Sequence, residues 1–180
     1  MAFTFQGDFV VGRNPEEVYD LLADPNRFCP LLPAFENLTA TDANNYTVSL
    51  KVGIAHIRGT ATVKITLEEA LRPRSARYSG KGSVGKGMVE IGSGFELDAV
   101  AEGTRVRWNG TCQVFGQLAS LAGGLLEPLA RKNIQKVIDS LQAALGQTPG
   151  VGQAPAPAPA QAPAQTPEGA ASTENPGQNQ

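Results

Sequence analysis

The feature that most constrains this sequence is a change of hydrophobic period at Gly116. In residues 34–115 apolar and polar side chains mostly alternate, as in residues 57–68, which is typical of antiparallel strands with one face in water. In residues 117–145 apolar side chains recur every three or four positions, which predicts one long amphipathic helix of about thirty residues. A sheet must bury its apolar face, and this helix is the only sizeable cover that the sequence offers.

The segment before residue 34 predicts one strand followed by two short helices. Residues 3–11 alternate in the same way as the later strands. The stretch Asn14-Pro15-Glu16-Glu17 then supplies an N-cap, a proline at the first helical position and a capping-box glutamate. Asp24-Pro25 ends this helix and starts another turn through Phe28. We therefore predict an α+β fold in which a curved antiparallel sheet of about seven strands wraps around the long C-terminal helix.

The first half of the long helix, residues 117–130, contains a single charge, Glu127. Gly123-Gly124 and Pro128 are expected to weaken or kink it. Because this half is apolar on more than one face, three interpretations stay open: burial against the sheet, lining of a ligand cavity, and shallow insertion at a membrane surface.

Residues 146–180 have a composition that cannot form a packed core. They hold seven of the 13 prolines, two acidic residues and no Lys or Arg. We therefore predict one domain, residues 1–145, followed by a disordered tail that acts as a tether or spacer. The domain keeps 15 basic and 15 acidic residues (17 minus 2), so its neutrality argues against nucleic-acid binding. No apolar window is long enough to span a membrane, and Asp8 interrupts any signal-peptide core, so we expect a cytoplasmic protein.

Few side chains are suited to catalysis. Cys29 and Cys112 lie far apart and His56 is the single histidine, which argues against a disulfide framework, a zinc cluster or a His-rich metal site. We expect His56 in an exposed turn and Cys112 as a small buried hydrophobe, whereas Cys29 either packs or contacts a ligand. Residues 80–87 lack the spacing of a phosphate-binding loop and join two strands, which predicts a hairpin. With no nucleophile, base and oxyanion donors together, we expect no enzyme.

The inner face of the predicted sheet carries small residues, which are Gly59, Ala61, Gly80, Gly82, Gly87, Ser93 and Gly110. Small inward residues leave volume that side chains do not fill, so we predict a mostly apolar pocket between sheet and helix. The expected ligand-binding residues come from the sheet, the loop around Pro30 and the first half of the helix. They are Phe28, Leu32, Leu50, Gly59, Ala61, Val63, Tyr78, Gly80, Val89, Ile91, Phe95, Trp108, Cys112, Leu118, Leu121, Ala122, Leu125, Leu126 and Leu129.

Several short motifs, in this order and spacing, resemble the CoxG-like family of carbon monoxide dehydrogenase proteins. They begin with Phe5-Gln6-Gly7-Asp8-Phe9 and continue through residues 15–25, residues 29–33, Arg58-Gly59-Thr60-Ala61, Gly103-Thr104-Arg105-Val106 and Gly116-Gln117-Leu118-Ala119. The resemblance covers the whole predicted domain. It implies the helix-grip fold of the SRPBCC superfamily, which includes START, Bet v 1-like and polyketide cyclase-like proteins.

The resemblance also implies a function. The family is associated with the aerobic molybdenum-type carbon monoxide dehydrogenase without belonging to its catalytic complex. This implies a non-enzymatic accessory, with no covalent cofactor, that carries an isoprenoid quinone such as menaquinone and links the dehydrogenase to the membrane quinone pool. Trp108, Tyr78 and Phe95 are the candidates for stacking on the ring. We expect a monomer, peripherally associated with the inner face of the cell membrane, whose partners are the dehydrogenase complex and membrane lipid or quinone.

Two alternatives stay open. One is a membrane-recruitment or assembly factor without a bound quinone. The other is an enzyme of the polyketide cyclase or aromatase kind, for which the inner face offers Tyr78, Ser93 and Cys112 as polar groups.

Overall fold

The computed structural model describes residues 1–54, 57–121 and 124–146. Its centre is a seven-stranded antiparallel sheet in the order β1-β7-β6-β5-β4-β3-β2. The strands are β1 (Ala2–Val11), β2 (Phe35–Ala40), β3 (Asn45–Ile54), β4 (Ile57–Leu71), β5 (Ser75–Val84), β6 (Gly87–Val100) and β7 (Gly103–Gly116). The alternating segments therefore form strands as predicted, and the first strand pairs with the last.

Two short helices, α1 (Pro15–Ala23) and α2 (Pro25–Phe28), follow β1, and a 3₁₀ turn (Cys29–Leu31) continues the second. The predicted N-cap is present. The Asn14 carboxamide oxygen accepts a hydrogen bond from the Glu17 backbone N–H (2.9 Å), and its NH₂ group donates to the Glu17 carboxylate (3.0 Å). Helix α1 buries Val18, Tyr19 and Leu21, which brings it against one end of the sheet.

The glycine-rich segment forms the predicted hairpin between β5 and β6. Val84 pairs with Gly87 across the two-residue turn Gly85-Lys86, and Gly85 has a φ of 56°. A positive φ of this kind is favourable for glycine and strained for most other residues. Because the segment lies within two paired strands, it does not open a helix and presents no helix N-terminus to a phosphate.

The C-terminal helix is divided in two. Helix α3 (Gln117–Leu121) follows β7 directly, and helix α4 spans Leu126–Leu145. The break agrees with the predicted weak point at Gly123-Gly124, of which Gly123 lies outside the described residues. Pro128 does not kink α4, because it lies in the first turn, where a backbone N–H has no intrahelical acceptor to lose. The predicted tail lies outside the described residues apart from Gly146.

The apolar core consists of two clusters, one near each end of α4. Cluster one surrounds α1 and the end of α4, and consists of Phe9, Val11, Val18, Tyr19, Leu21, Ala76, Phe95, Leu97, Val106, Leu141 and Leu145. Cluster two lies near the β5–β6 hairpin and α3, and consists of Ala61, Val84, Val114 and Leu118. These clusters fix the two ends of the helix against the sheet.

Candidate ligand-binding site

Between the two clusters, a row of residues crosses the inner face of the sheet. Cross-strand pairing places Phe5, Gly110, Ser93 and Tyr78 side by side on β1, β7, β6 and β5. Ser93 is exposed although it lies on the same face as buried Phe95. A Cβ atom added to Gly110 would have one described neighbour within 4 Å, the Gly92 carbonyl oxygen at 3.8 Å. Described side chains therefore leave the space above Ser93 and Gly110 unfilled.

The middle of α4 lies opposite this gap. Within α4 only Leu141 and Leu145 are buried. Leu126 packs against cluster two, and Val137 and Ile138 pack against cluster one. Leu129 and Ile134 lie between them on the apolar stripe, yet they are half-buried and belong to neither cluster. The helix thus bridges an apolar space that its own side chains do not close.

Most inward glycines do not contribute to this space, which corrects the expectation from the sequence. A Cβ on Gly80 would lie 2.7 Å from the Cδ1 atom of Ile65, and one on Gly82 would lie 2.8 Å from Val63. A Cβ on Gly87 would lie 2.2 Å from Leu118. These glycines accommodate neighbouring side chains, so the cavity is confined to the row at Ser93 and Gly110.

The inner face is uncharged in the described part of the sheet. Ion pairs such as Lys81–Glu90 (3.1 Å) and Arg107–Asp98 (2.9 Å) lie on the outer face. Two buried polar atoms on the inner side, the Tyr78 hydroxyl oxygen and Trp108 Nε1, have no hydrogen-bond partner in the structure. The Trp108 indole leans over Gly7 of β1, where a Cβ would come within 2.9 Å of the ring. The cavity therefore combines an apolar wall with two unsatisfied donor groups.

Burial keeps the titratable groups near this cavity neutral. Desolvation, reinforced by Tyr19 and Cys29, raises the pKa of Tyr78 to about 12. Desolvation, together with the Asp24 carboxylate, raises the pKa of Cys29 to about 11. Desolvation also raises the pKa of Tyr46 and that of Cys112. At neutral pH these groups are protonated, so they can donate hydrogen bonds but are poor bases and nucleophiles.

A family model described as CoxG, a carbon monoxide dehydrogenase protein, matches residues 7–146, which includes both core clusters and all of α4. The chain belongs to the CoxG family. Membership confirms the resemblance seen in the sequence and gives the chain an accessory role in the carbon monoxide dehydrogenase system. No curated protein matches the chain in sequence.

Solved structures of similar proteins confirm the helix-grip fold of this CoxG family member. A conserved protein from Geobacillus kaustophilus is 20% identical, with a TM-score of 0.71 over 79% of this chain and 95% of its own. Ara h 8.0201 is 13% identical, with a TM-score of 0.59 over 81% of this chain and 98% of its own. The di-domain ARO/CYC protein StfQ, from the steffimycin biosynthetic pathway, is 11% identical, with a TM-score of 0.59 over 81% of this chain and 51% of its own.

The predicted site residues fall into four groups. Those at or beside the gap are Tyr78, Ile91, Phe95, Trp108, Cys112 and Leu129. Those that pack in or around cluster two are Leu50, Ala61, Val89, Leu118 and Leu126, while Phe28 packs on cluster one. Val63 and Gly80 are buried within the sheet, and Leu32 is half-buried in the loop before β2. Ala122 and the side chain of Leu121 lie outside the described residues.

Two predicted residues are exposed and therefore belong outside the cavity wall. Leu125, 57% exposed, lies in the turn before α4. Gly59 lies near the free end of the β3–β4 hairpin, in an open cleft of about 560 Å³ that Lys51, Arg58 and Thr60 also line. That cleft is a cationic surface feature, distinct from the apolar space under α4.

Three cavity residues were not predicted. Ile134 lies on the helical stripe, and its period was the available signal. Tyr46 lies on an inward position of β3, where alternation indicated it. Phe5 is buried, and the Arg131 guanidinium of α4 lies 5.6 Å from its ring centroid. No local pattern in the sequence indicated that cation–π contact, because the two residues come from distant segments.

The predictions about metals and membranes have limited structural tests. Among residues 1–54, 57–121 and 124–146, no three His, Cys, Asp or Glu side chains come together to hold a metal ion. His56 lies outside those ranges. Within the same ranges, no helix combines the length and the hydrophobicity needed to cross a membrane.

Proposed function

We propose that this protein binds an isoprenoid quinone of the menaquinone type in the cavity between the two core clusters and links carbon monoxide dehydrogenase to the membrane quinone pool. The observation that carries the proposal is the unfilled row at Ser93 and Gly110 beneath the half-buried middle of α4. An uncharged, mostly apolar cavity suits an isoprenoid chain, and Phe95 and Trp108 offer aromatic faces to a ring. The protein would contribute burial and orientation, while the dehydrogenase would supply the electrons.

An exposed apolar patch supports contact with a membrane. Met88 and Phe115 are cross-strand neighbours on β6 and β7 and are 58% and 43% exposed. Met1 extends the patch, because its backbone pairs with Val114. Lys86, in the adjoining hairpin turn, and the Met1 ammonium group add positive charge. Apolar side chains rimmed by cations match the surface of an anionic bilayer. This patch lies at the end of the fold that holds cluster two.

The proposal is tested by incubating the purified protein with membrane extract and identifying the bound lipids by mass spectrometry. We expect the wild type to retain a quinone and the Gly110→Phe variant to lose most of it, because the phenyl group would occupy the gap. The matched control is Thr111→Phe, which places the same group on the exposed outer face of β7. It should retain quinone as the wild type does.

Two results would contradict quinone binding: recovery of no quinone from the wild type, or equal recovery from the Gly110→Phe and Thr111→Phe variants. Flotation with liposomes in the absence of bound quinone would instead favour a recruitment or assembly factor.

Aromatase or cyclase chemistry is the second candidate, favoured by the similarity of fold to StfQ and by the positions of Tyr78, Ser93 and Cys112. The raised pKa values of Tyr78 and Cys112 argue against it, because neither group is available as an anion at neutral pH. Turnover of a poly-β-ketone by the purified protein, abolished by Tyr78→Phe, would support this candidate over quinone carriage.

A further inference from the structure

The two unsatisfied donors offer the clearest indication of what the cavity binds. A buried hydroxyl or indole N–H without a partner costs about 1–3 kcal/mol, so such atoms need an explanation. Both occur on the inner side of the sheet, at Tyr78 and Trp108, and the described protein atoms supply neither with an acceptor. An acceptor brought by a ligand would satisfy them.

The donors lie on opposite sides of the gap. Tyr78 is on β5, next to Ser93. Trp108 is on β7, next to Phe95, and its indole leans away from β5 over Gly7 of β1. From β5 to β1 there are three strand spacings, or about 14 Å. The row at Ser93 and Gly110 runs between these two positions. A ligand that uses both donors therefore needs acceptors at its two ends.

We propose that Tyr78 and Trp108 form a head-group site that takes the carbonyl oxygens of an uncharged ring carrying two opposed carbonyl groups. This inference rests on the proposed quinone function and adds to it the residues that recognise the ring. Phe95, which lies between the two donors along the sheet, is placed to contact the ring face.

The surroundings disfavour a charged head group at this site. The described inner face of the sheet carries no Lys or Arg, so a carboxylate or phosphate there would be buried without a cation. Arg131 of α4 lies over Phe5, but its guanidinium is paired with the Glu127 carboxylate (2.7 Å). The Tyr78 hydroxyl stays protonated at neutral pH and remains a donor. A neutral carbonyl meets the needs of both donors without adding a buried charge.

The site also orients the ligand. Tyr78 and Trp108 both pack against cluster one, whereas the wall towards cluster two is aliphatic at Ile91 and Val89. The ring therefore lies towards α1, and the isoprenoid chain runs under Leu129 towards α3 and the exposed patch at Met88.

The test compares two probes of the same shape, 2-methyl-1,4-naphthoquinone and 2-methylnaphthalene, by equilibrium dialysis against the full-length protein. The second probe lacks the carbonyl oxygens. We expect the wild type to prefer the quinone. Tyr78→Phe should weaken quinone binding about tenfold, because one hydrogen bond is lost, and leave 2-methylnaphthalene binding unchanged. Tyr19→Phe is the matched control, because Tyr19 is buried in cluster one and its hydroxyl is not among the unsatisfied atoms.

Two further measurements keep the test independent of any one variant. Trp108→Phe keeps an aromatic ring and removes the second donor, so it should also weaken binding of the quinone alone. In the infrared spectrum of the wild type, the carbonyl stretch of the bound quinone should shift to lower frequency, and Tyr78→Phe should reverse part of that shift.

The outcomes separate this inference from the proposed function. If the wild type binds the quinone but Tyr78→Phe and Trp108→Phe bind it equally well, the head-group site is overturned while quinone carriage stands. If the wild type binds both probes equally, the head-group site is likewise overturned. Oleate serves as a charged probe, and binding of oleate that is competitive with the quinone would also overturn it.

Discussion

Gly103 is the residue at which the backbone leaves no space for a side chain. It opens β7 with a φ of 136°, and a Cβ there would lie 2.1 Å from the carbonyl oxygen of Val11. The next residue, Thr104, is fully buried and donates its hydroxyl to the Arg13 carbonyl oxygen (2.7 Å). This pair of residues joins the start of β7 to the end of β1 at the point where α1 begins.

We predict that Gly103→Ala lowers the free energy of unfolding by about 2–4 kcal/mol, because it combines a backbone clash with a strained φ. Gly53→Ala is the control, since a Cβ there meets nothing within 4 Å. It should change the free energy of unfolding by less than about 0.5 kcal/mol. Urea denaturation followed by circular dichroism measures both, and similar values for the two variants would refute the prediction.

The sequence predicted which residues face inward but not which inward glycines leave space. Alternation places Gly80, Gly87 and Gly110 on the inner face equally well. Whether a neighbour fills the position depends on side chains from other strands and helices, such as Ile65 over Gly80 and Leu118 over Gly87. Local periodicity carries no information about these non-local contacts, so the position of the cavity required the structure.

Helix α4 behaves as two units, a buried end and a bridging middle. Leu141 is 4% exposed in cluster one, whereas Leu129 is half-buried and belongs to neither cluster. A side chain that faces an unfilled space gains less from packing than one that is surrounded. The same apolar stripe therefore contributes unequally to stability along its length.

We predict that Leu141→Ala lowers the free energy of unfolding by about 2–4 kcal/mol, and that Leu129→Ala lowers it by less than about 1 kcal/mol in the ligand-free protein. Leu129→Ala should instead reduce the amount of quinone retained. Chemical denaturation and lipid analysis of the same preparations measure the two effects. Equal loss of stability in the two variants would mean that the helix packs closely along its whole length, with no cavity beneath Leu129.

At the level of elements, the sequence predicted the order of strands and helices well. The clean alternation of β4 and β7 and the cap at Asn14 are local signals that the structure confirms. The division between α3 and α4 was predicted less well, because Pro128 suggested a kink. In the structure it occupies the first turn of α4, and only the start of that helix explains why it is tolerated there.

The whole molecule has two different ends. The end with cluster two carries the exposed patch of Met1, Met88 and Phe115 beside Lys86. The opposite end carries cluster one, α1 and the end of α4. If the patch is the membrane contact, a bilayer meets one end of the fold and leaves the other in water.

We predict that the protein floats with vesicles that contain phosphatidylglycerol, and that a Met88→Ser, Phe115→Ser double variant does not. Leu71→Ser is the control, because Leu71 is 55% exposed but lies at the β4–β5 turn, at the other end of the sheet. It should float as the wild type does. A sedimentation gradient with and without vesicles measures the bound fraction, and equal flotation of all three proteins would argue against the patch as the membrane contact.

The hydrogen bond from the Gly12 N–H to the Gly146 carbonyl oxygen (3.2 Å) decides from where the rest of the chain departs. It anchors the last described residue beside the end of β1, about 30 Å along α4 from the helix start that adjoins the exposed patch. The polypeptide after Gly146 therefore leaves from the pole opposite the proposed membrane contact. A partner that bound those following residues would approach the protein from the water side, without competing with lipid for the same surface.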